Sequence, residues 1–318
     1  MLHTITLPTP FDVGPINVYL LEGPELTLVD TGARTSRTME ALRLGLDALG
    51  YQVRDIRQII VTHAHADHFG MAAQIVAESG ARVVTHRRNL YWLTDFRNEW
   101  VRRYDFYDQV FAESGLPQEL RQAVRIAGEA TARYAESVPV FRLLDEGDVL
   151  ELDGAPWQVL FTPGHAGGLI CLYEPRRRLL LCSDHLIKHI TSNPLLEPPA
   201  RDETVRRRSL VEYLASLRRV AELAVDLALP SHGEPIADHR ALIEERFGFH
   251  RARQERIMAL LGNGGKTAYS IAQELWPELT PLNTFLALSE VIGHMDVLED
   301  EGRVSLVRRD GLLFYTLP

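Results

Sequence analysis

A chain of 318 residues, 46% hydrophobic and 24% charged, can bury a large core and exceeds the roughly 250 to 300 residues at which single cores usually divide. The formal net charge of −9 disfavours polyanions as partners, and lysine occurs only at 188 and 266, so nearly every basic side chain is arginine. The start has no basic segment followed by a long apolar run, no apolar stretch reaches the length of a membrane span, and Cys171 and Cys182 form no CxxC pair, so a cytoplasmic chain without membrane partners is expected.

In chain order, alternating apolar strands over 16–21 and 26–30 are followed by a helix over 36–49 and then by the apolar run Ile59-Ile60-Val61. The strand runs straight into Thr62-His63-Ala64-His65-Ala66-Asp67-His68-Phe69-Gly70. In an extended continuation, side chains at i, i+2 and i+4 leave on one side, so His63, His65 and Asp67 converge. His68 joins them only if the chain turns, and the small residues from Gly70 to Ala73 read as the first turn of a helix. Imidazole and carboxylate together suit zinc, iron or manganese, whereas an all-oxygen cluster would suit calcium or magnesium.

Between His86 and Glu146 the strand pattern gives way to an expected helical insertion over about 87–145. Phe96, Trp100, Tyr104, Tyr107 and Phe111 recur at spacings of three and four along one helix face, and a second helix is expected over 117–137. This aromatic face either packs between helices and sheet or overhangs the metals as a lid, in which case Trp100 and Tyr104 contact substrate. Three more strands end on candidate ligands. These are His165 after 157–161 and a Pro-Gly turn, Asp184 after 179–182, and His232 after 227–229. His185 is a candidate substrate contact beside Asp184. His3, His86, His239, His250 and His294 lack ligand-like context and are expected to be structural. No GxSxG elbow or phosphate loop occurs, and Asn263-Gly264-Gly265-Lys266-Thr267 reads as an interhelical turn.

Beyond a boundary near Ala237 come helices over 240–261, 267–276 and 282–299. Strands over 303–307 and 312–316 then flank Arg308-Arg309-Asp310-Gly311, an expected hairpin. Three helices and a hairpin over 238–318 resemble a winged helix. The third helix, which would read nucleic acid, lies in a span from Glu278 to Gly302 with no lysine or arginine, so nucleic acid is not the expected partner. A structural role or a homodimer contact is expected instead.

The set His63-x-His65-x-Asp67-His68, His165, Asp184 and His232 resembles the metallo-β-lactamase superfamily, and the C-terminal appendage resembles its lactamase-β-like and glyoxalase-II-like hydrolases. The resemblance implies an α/β fold, an αββα sandwich over 1–237 carrying the helical insertion, with the metals at one end of the two sheets. It implies that His63, His65 and His165 hold one metal, that Asp67, His68 and His232 hold a second, and that Asp184 bridges them. Asp30 matches the family's early aspartate and would support the ligand loop from behind. Two divalent cations, zinc foremost with iron or manganese as alternatives, would activate a bridging hydroxide against a substrate carbonyl. Asp67 would orient that nucleophile and carry its proton. The expected activity is hydrolysis of a small apolar ester, thioester or lactone. A phosphodiesterase or single-strand RNA endonuclease is the alternative, and a mononuclear iron dioxygenase or a non-catalytic binding protein is a third reading. Antibiotic cleavage is not expected, because His68 completes the second site as in the superfamily's general hydrolases. Ile187 stands where lactonases carry a tyrosine, and no basic cluster suits glutathione.

Overall fold

The computed structural model describes residues 1–262 and 264–318, so Asn263 of the expected interhelical turn lies outside the described residues. Six strands form the first sheet in chain order: β1 (Leu2–Leu7), β2 (Ile16–Leu21), β3 (Thr27–Val29), β4 (Gln58–Val61), β5 (Arg82–His86) and β6 (Arg142–Leu144). Pairing is antiparallel from β1 to β3 and parallel from β3 to β6. The second sheet holds β7 (Val149–Leu152), β8 (Ala155–Phe161), β9 (Ile170–Glu174), β10 (Leu179–Ser183) and β11 (Leu227–Pro230), with β10 and β11 parallel.

Alternation along the strands sends one set of side chains between the sheets and the other outward. Tyr19, Val29, Ile60 and Val84 of the first sheet meet Trp157, Val159, Leu172 and Leu229 of the second in one buried layer. On the outer face of the first sheet lie α1 (Ser36–Ala48), α2 (Ala66–Phe69) and α3 (Ala72–Ser79), which contribute Leu42, Leu46, Phe69 and Ile75. Thr35 caps α1 by accepting from the Thr38 backbone N–H. The expected insertion contains α4 (Leu90–Thr94), α5 (Phe96–Glu113) and α6 (Gln118–Glu129). The outer face of the second sheet is covered by α7 (Ser209–Ala221) and α8 (His239–Leu261), through Leu210, Leu214, Leu217 and Ile243. The layers are therefore helix, sheet, sheet, helix.

Four boundaries differ from expectation. The helix expected over 117–137 stops at Glu129, because the chain turns into a short 3-10 segment at Ala132–Tyr134. Near the end of the 87–145 stretch, Arg142–Leu144 are not insertion: β6 pairs with β5 and completes the first sheet. β1, unanticipated, forms the sheet edge beside β2. After α9 (Ala268–Leu275) and α10 (Pro281–Asp300), the first hairpin strand is displaced from its expected bounds: β12 (Ser305–Arg309) includes both arginines and joins β13 (Leu312–Thr316) through Asp310-Gly311, the tight turn that Asp-Gly favours. Both turn residues have positive φ, +48° and +81°, as a type I′ turn requires.

The aromatic face of α5 turns toward the C-terminal helices. Tyr104, Tyr107 and Phe111 share a buried cluster with Ile257, Ile271 and Leu288, and the Tyr107 ring lies 4.9 Å from that of Phe285. One close approach is sequence-specific. A Cβ on Gly70, between α2 and α3, would fall 2.3 Å from the Tyr134 carbonyl oxygen and 2.7 Å from the Arg34 nitrogen. Those two atoms are themselves hydrogen-bonded at 2.8 Å, so neither can retreat freely. Gly70→Ala is therefore expected to destabilise by about 3 kcal/mol, the upper range for overpacking, read as a lowered melting temperature. An unchanged melting temperature would show that the joint yields.

Candidate metal centre

Each candidate ligand leaves a strand end at the same edge of the sandwich. β4 runs into Thr62, His63 and His65. Because His65 is the extended N-cap residue of α2, the single helical turn that follows brings Asp67 and His68 back over the strand end. After β8, Pro163-Gly164 turns the chain with Gly164 at φ +137°, and a Cβ there would lie 2.4 Å from the Tyr213 backbone, so only glycine fits. His165 follows. Asp184 follows β10 through Ser183, held at φ +48°, and His232 follows β11.

All seven expected ligands come together. His63, His65 and His165 form one group, His63, His68 and Asp184 a second, and Asp67, His68 and His232 a third, each with ligand atoms within 4.8 Å of one another. Asp184 stands among them: Oδ2 is 3.4 Å from His165 Nε2 and 3.5 Å from His68 Nε2, and Oδ1 is 3.7 Å from His232 Nε2. Asp67 Oδ2 lies 3.5 Å from His232 Nε2.

The outward nitrogens are tied down. His165 Nδ1 donates to the Asn193 carbonyl at 3.1 Å, His232 Nδ1 to the Pro15 carbonyl at 2.9 Å, and His68 Nδ1 to Asp30 Oδ2 at 2.7 Å. A carbonyl acceptor requires the proton on Nδ1, which leaves each Nε2 lone pair free to face the centre. Asp30, 2% exposed, also accepts from the Thr62 N–H and hydroxyl, both at 2.8 Å. It holds this position with φ at +61°, a backbone conformation uncommon outside glycine.

Sequence reading missed a hydroxyl triad. Thr62, Ser183 and Ser231 each immediately precede a ligand, and their hydroxyls form a chain, 2.8 Å from Thr62 to Ser183 and 3.3 Å from Ser231 to Ser183. The repeated pattern of a hydroxyl residue before a ligand was the available signal.

Burial and mutual charge set the protonation of the cluster. Burial, reinforced by neighbouring imidazoles, holds His63 and His65 well below the usual histidine range. Burial opposes ionisation of Asp184, yet His68 and His232 outweigh it and hold its carboxyl well below the ordinary value. Asp67 is shifted down for the same reasons. Neutral His63 and His65 beside ionised carboxylates are the protonation states that divalent cations need. At His68 and His232, by contrast, burial is outweighed by neighbouring carboxylates, Asp184 foremost, which raise both rings, so a bound cation would displace their protons. The fit extends to unmet bonding: His68 Nε2, Asp184 Oδ1 and His232 Nε2 are buried without a hydrogen-bond partner, a costly arrangement that bound cations would relieve.

The other candidates divide. His185 is fully buried against Tyr213, joins none of the three groups, and has its pKa pushed down to about 3 by burial, so the expected substrate contact is corrected: it offers a ligand no surface. Trp100 and Tyr104 line an apolar cavity of about 120 Å³ together with Tyr107, Val124 and Phe285. His3, His86, His239, His250 and His294 belong to none of the groups. Both cysteines are free and buried.

A two-sheet sandwich with a histidine and aspartate cluster at its edge defines a class of metal-dependent hydrolases, and the chain belongs to the metallo-beta-lactamase superfamily, whose profile matches residues 11–232. It is similar to the probable metallo-hydrolase YqjP of Bacillus subtilis, 36% identical over 304 residues that cover 95% of this chain and 93% of that one. The crystal structure of the metallo-beta-lactamase family protein TTHA1429 from Thermus thermophilus superimposes with a TM-score of 0.83 at 30% identity, covering 100% of this chain and 98% of the other. More distant is the atrochrysone carboxyl ACP thioesterase of Aspergillus fumigatus, 21% identical over 248 residues, 78% of this chain and 60% of that one.

Proposed function

We propose that the chain is a dinuclear hydrolase of an ester, thioester or lactone, with His63, His65 and His165 holding one divalent cation, Asp67, His68 and His232 the other, and Asp184 shared. The observation that carries this reading is Asp184 itself, whose two oxygens lie within reach of imidazoles from both groups. A single-cation dioxygenase would have no use for the complete second group. Zinc suits the nitrogen and carboxylate donors best, with iron or manganese as alternatives. When bound, a pair of cations supplies a lowered water pKa and a Lewis acid for the substrate carbonyl.

Hydrolysis adds the water oxygen to the acyl carbon, breaks the bond to the leaving oxygen or sulfur, and moves one proton to that atom. Asp67 is the group placed to carry the proton. His68 and His232 keep its carboxylate ionised, so a proton taken at Oδ1 or Oδ2 is readily passed on. The name of the Aspergillus relative favours a thioester among the three substrate types. The aromatic cavity beside Trp100 and Tyr104 suits the acyl chain. Trp100→Ala or Tyr104→Ala is expected to raise KM for apolar acyl substrates about tenfold, the worth of one or two buried methylenes, with metal content unchanged. Unchanged kinetics in both variants would remove the cavity from the site.

The elements from α8 to β13 fit a winged-helix-like unit over 238–318 with a structural role. Residues 291–298 of α10 are all buried, and among the described side chains the exposed positions of its first half, Asn283 and Leu286, carry no positive charge, which speaks against nucleic acid as partner. No helix among the described residues is long and apolar enough to cross a membrane. The deciding experiment is a turnover panel on metal-analysed protein, comparing p-nitrophenyl esters, acyl thioesters, lactones, a bis-aryl phosphodiester and a short RNA. Fastest release from a carboxylic ester, thioester or lactone supports the reading, and fastest release from phosphodiester or RNA replaces it.

A further inference from the structure

Arg103 is an arginine without an ion-pair partner. Among the described residues no carboxylate lies within ion-pairing distance of its guanidinium, whereas Arg102 on the same helix pairs with Glu99 at 2.8 Å. It is half-buried, its Nε has no hydrogen-bond partner, and it is held over the Trp92 ring at 4.0 Å and beside the Trp100 ring at 5.4 Å. Two indoles hold a guanidinium in place but do not replace the hydrogen bonds it loses on leaving water.

Its place in the molecule is specific. Arg103 lines the apolar cavity of Trp100 and Tyr104, and also a narrow constriction shared with the ligand His65. The constriction, about 10 Å³, shares Arg88, Trp92 and Glu197 with an outer cleft of about 540 Å³. Three of its donors are buried and unmet: Arg103 Nε, Arg88 Nη1 and His65 Nε2. His65 turns Nδ1 toward His63 and His165, at 3.0 and 3.1 Å, so a cation at Nδ1 leaves the ring proton on Nε2, a third donor. The one acid lining the constriction, Glu197, accepts from the Gly167 N–H at 2.9 Å, and burial shifts its carboxyl upward against the pull of Arg103. Of the other acids in the outer cleft, Glu99 is paired with Arg102 and Arg201, Glu203 lies 3.8 Å from Arg88 Nη2, and Asp202 is the third.

We propose that the junction of constriction and cleft beside His65 is a subsite for an anionic oxo group of the substrate, carboxylate or phosphate, with Arg103 as its specificity-determining residue and Arg88 as the second guanidinium. The substrate then carries a negative charge close to its scissile carbonyl as well as an apolar chain. This deepens the hydrolase reading and rests on it for the position of the carbonyl. Guanidinium forks suit either oxo group.

The test uses metal-replete full-length protein and three p-nitrophenyl esters with one leaving group: butyrate, hemisuccinate and 4-phosphonobutyrate. The expected result is at least a tenfold higher kcat/KM for one or both anionic esters, expressed mainly in KM, and the carboxylate and phosphonate arms say which group is read. In Arg103→Met the anionic-to-neutral ratio should fall to within threefold of one, and Arg103→Lys should restore part of it. If Arg103→Met does not fold, Arg88→Gln carries the same comparison. Equal turnover of all three esters by the wild-type protein overturns the subsite and leaves the hydrolase reading intact. Should all esters be inert, titration with succinate and with inorganic phosphate decides. Binding that weakens at least tenfold in Arg103→Met keeps the subsite and removes the ester hydrolase, and binding unaffected by the substitution overturns the subsite as well.

Discussion

Asp67→Asn, assayed at full metal occupancy, is expected to lower kcat by about 10²- to 10⁴-fold with KM little changed, the range that loss of a positioned proton carrier produces. The substitution conserves volume and leaves one oxygen to face His232. What it removes is the negative charge that His68 and His232 stabilise, and with it the ability to accept a proton. Because Asp67 also belongs to one of the three ligand groups, metal content has to be measured on the same preparation. Two equivalents of metal together with near-normal kcat would defeat the assignment. Loss of one equivalent, reversed together with activity by added metal, would reduce Asp67 to a ligand alone.

Asp30→Ala is expected to be the most damaging change outside the ligand set. The carboxylate accepts three hydrogen bonds, from the Thr62 N–H, the Thr62 hydroxyl and His68 Nδ1, and it is almost wholly buried. Deleting it strands those donors and frees the His68 ring. A cost of about 3 to 5 kcal/mol follows from breaking a buried charge-assisted network. Metal affinity should fall about 10- to 100-fold, as for other partners that orient a metal-binding histidine. Asp30→Asn separates the contributions. Asparagine tolerates φ near +61° and restores part of the stability, but its NH2 group sets a donor against donors, so the loss of metal affinity should persist. Thermal melting and competition with a chelator read the two quantities, and wild-type affinity in both variants would show that Asp30 does not orient His68.

Much of the site was legible because its ligands obey local rules. His63 and His65 continue the extended chain past β4, but the turn expected at the small residues after His68 comes earlier. The helix α2 starts at Ala66, so Asp67 as well as His68 is brought back by a helical turn rather than by strand alternation. His165, Asp184 and His232 stood out because each closes an apolar strand with a polar group. The C-terminal hairpin and its tight turn were visible in Asp-Gly, although the strand before the turn runs on to Arg309, two residues further than expected. By contrast, β6 was hidden in the insertion: three residues, two of them exposed, carry no periodicity to detect.

Arg103 shows where local rules stop. Within α5 it is one of two adjacent arginines, and the overall charge of −9 spoke only against polyanionic partners. Net charge sums distant surfaces, whereas recognition depends on which few charges remain unpaired inside one cleft. Arg102, one position earlier, finds Glu99, and Arg201 finds Asp95 and Glu99, so identical side chains serve as ordinary ion pairs.

The amino-acid sequence by itself determined the ligand types, their placement at strand ends and the helical character of both additions, since each of these follows from residue chemistry and short-range periodicity. The two-sheet architecture came instead from the family resemblance that the ligand motifs carry. Only the tertiary structure decided that the aromatic face of α5 seals against the C-terminal helices, that His185 is buried out of reach, and that one guanidinium beside His65 is left without a partner. These outcomes depend on contacts between segments far apart in the chain, and pairing or orphaning of a buried polar group is settled only when those segments meet.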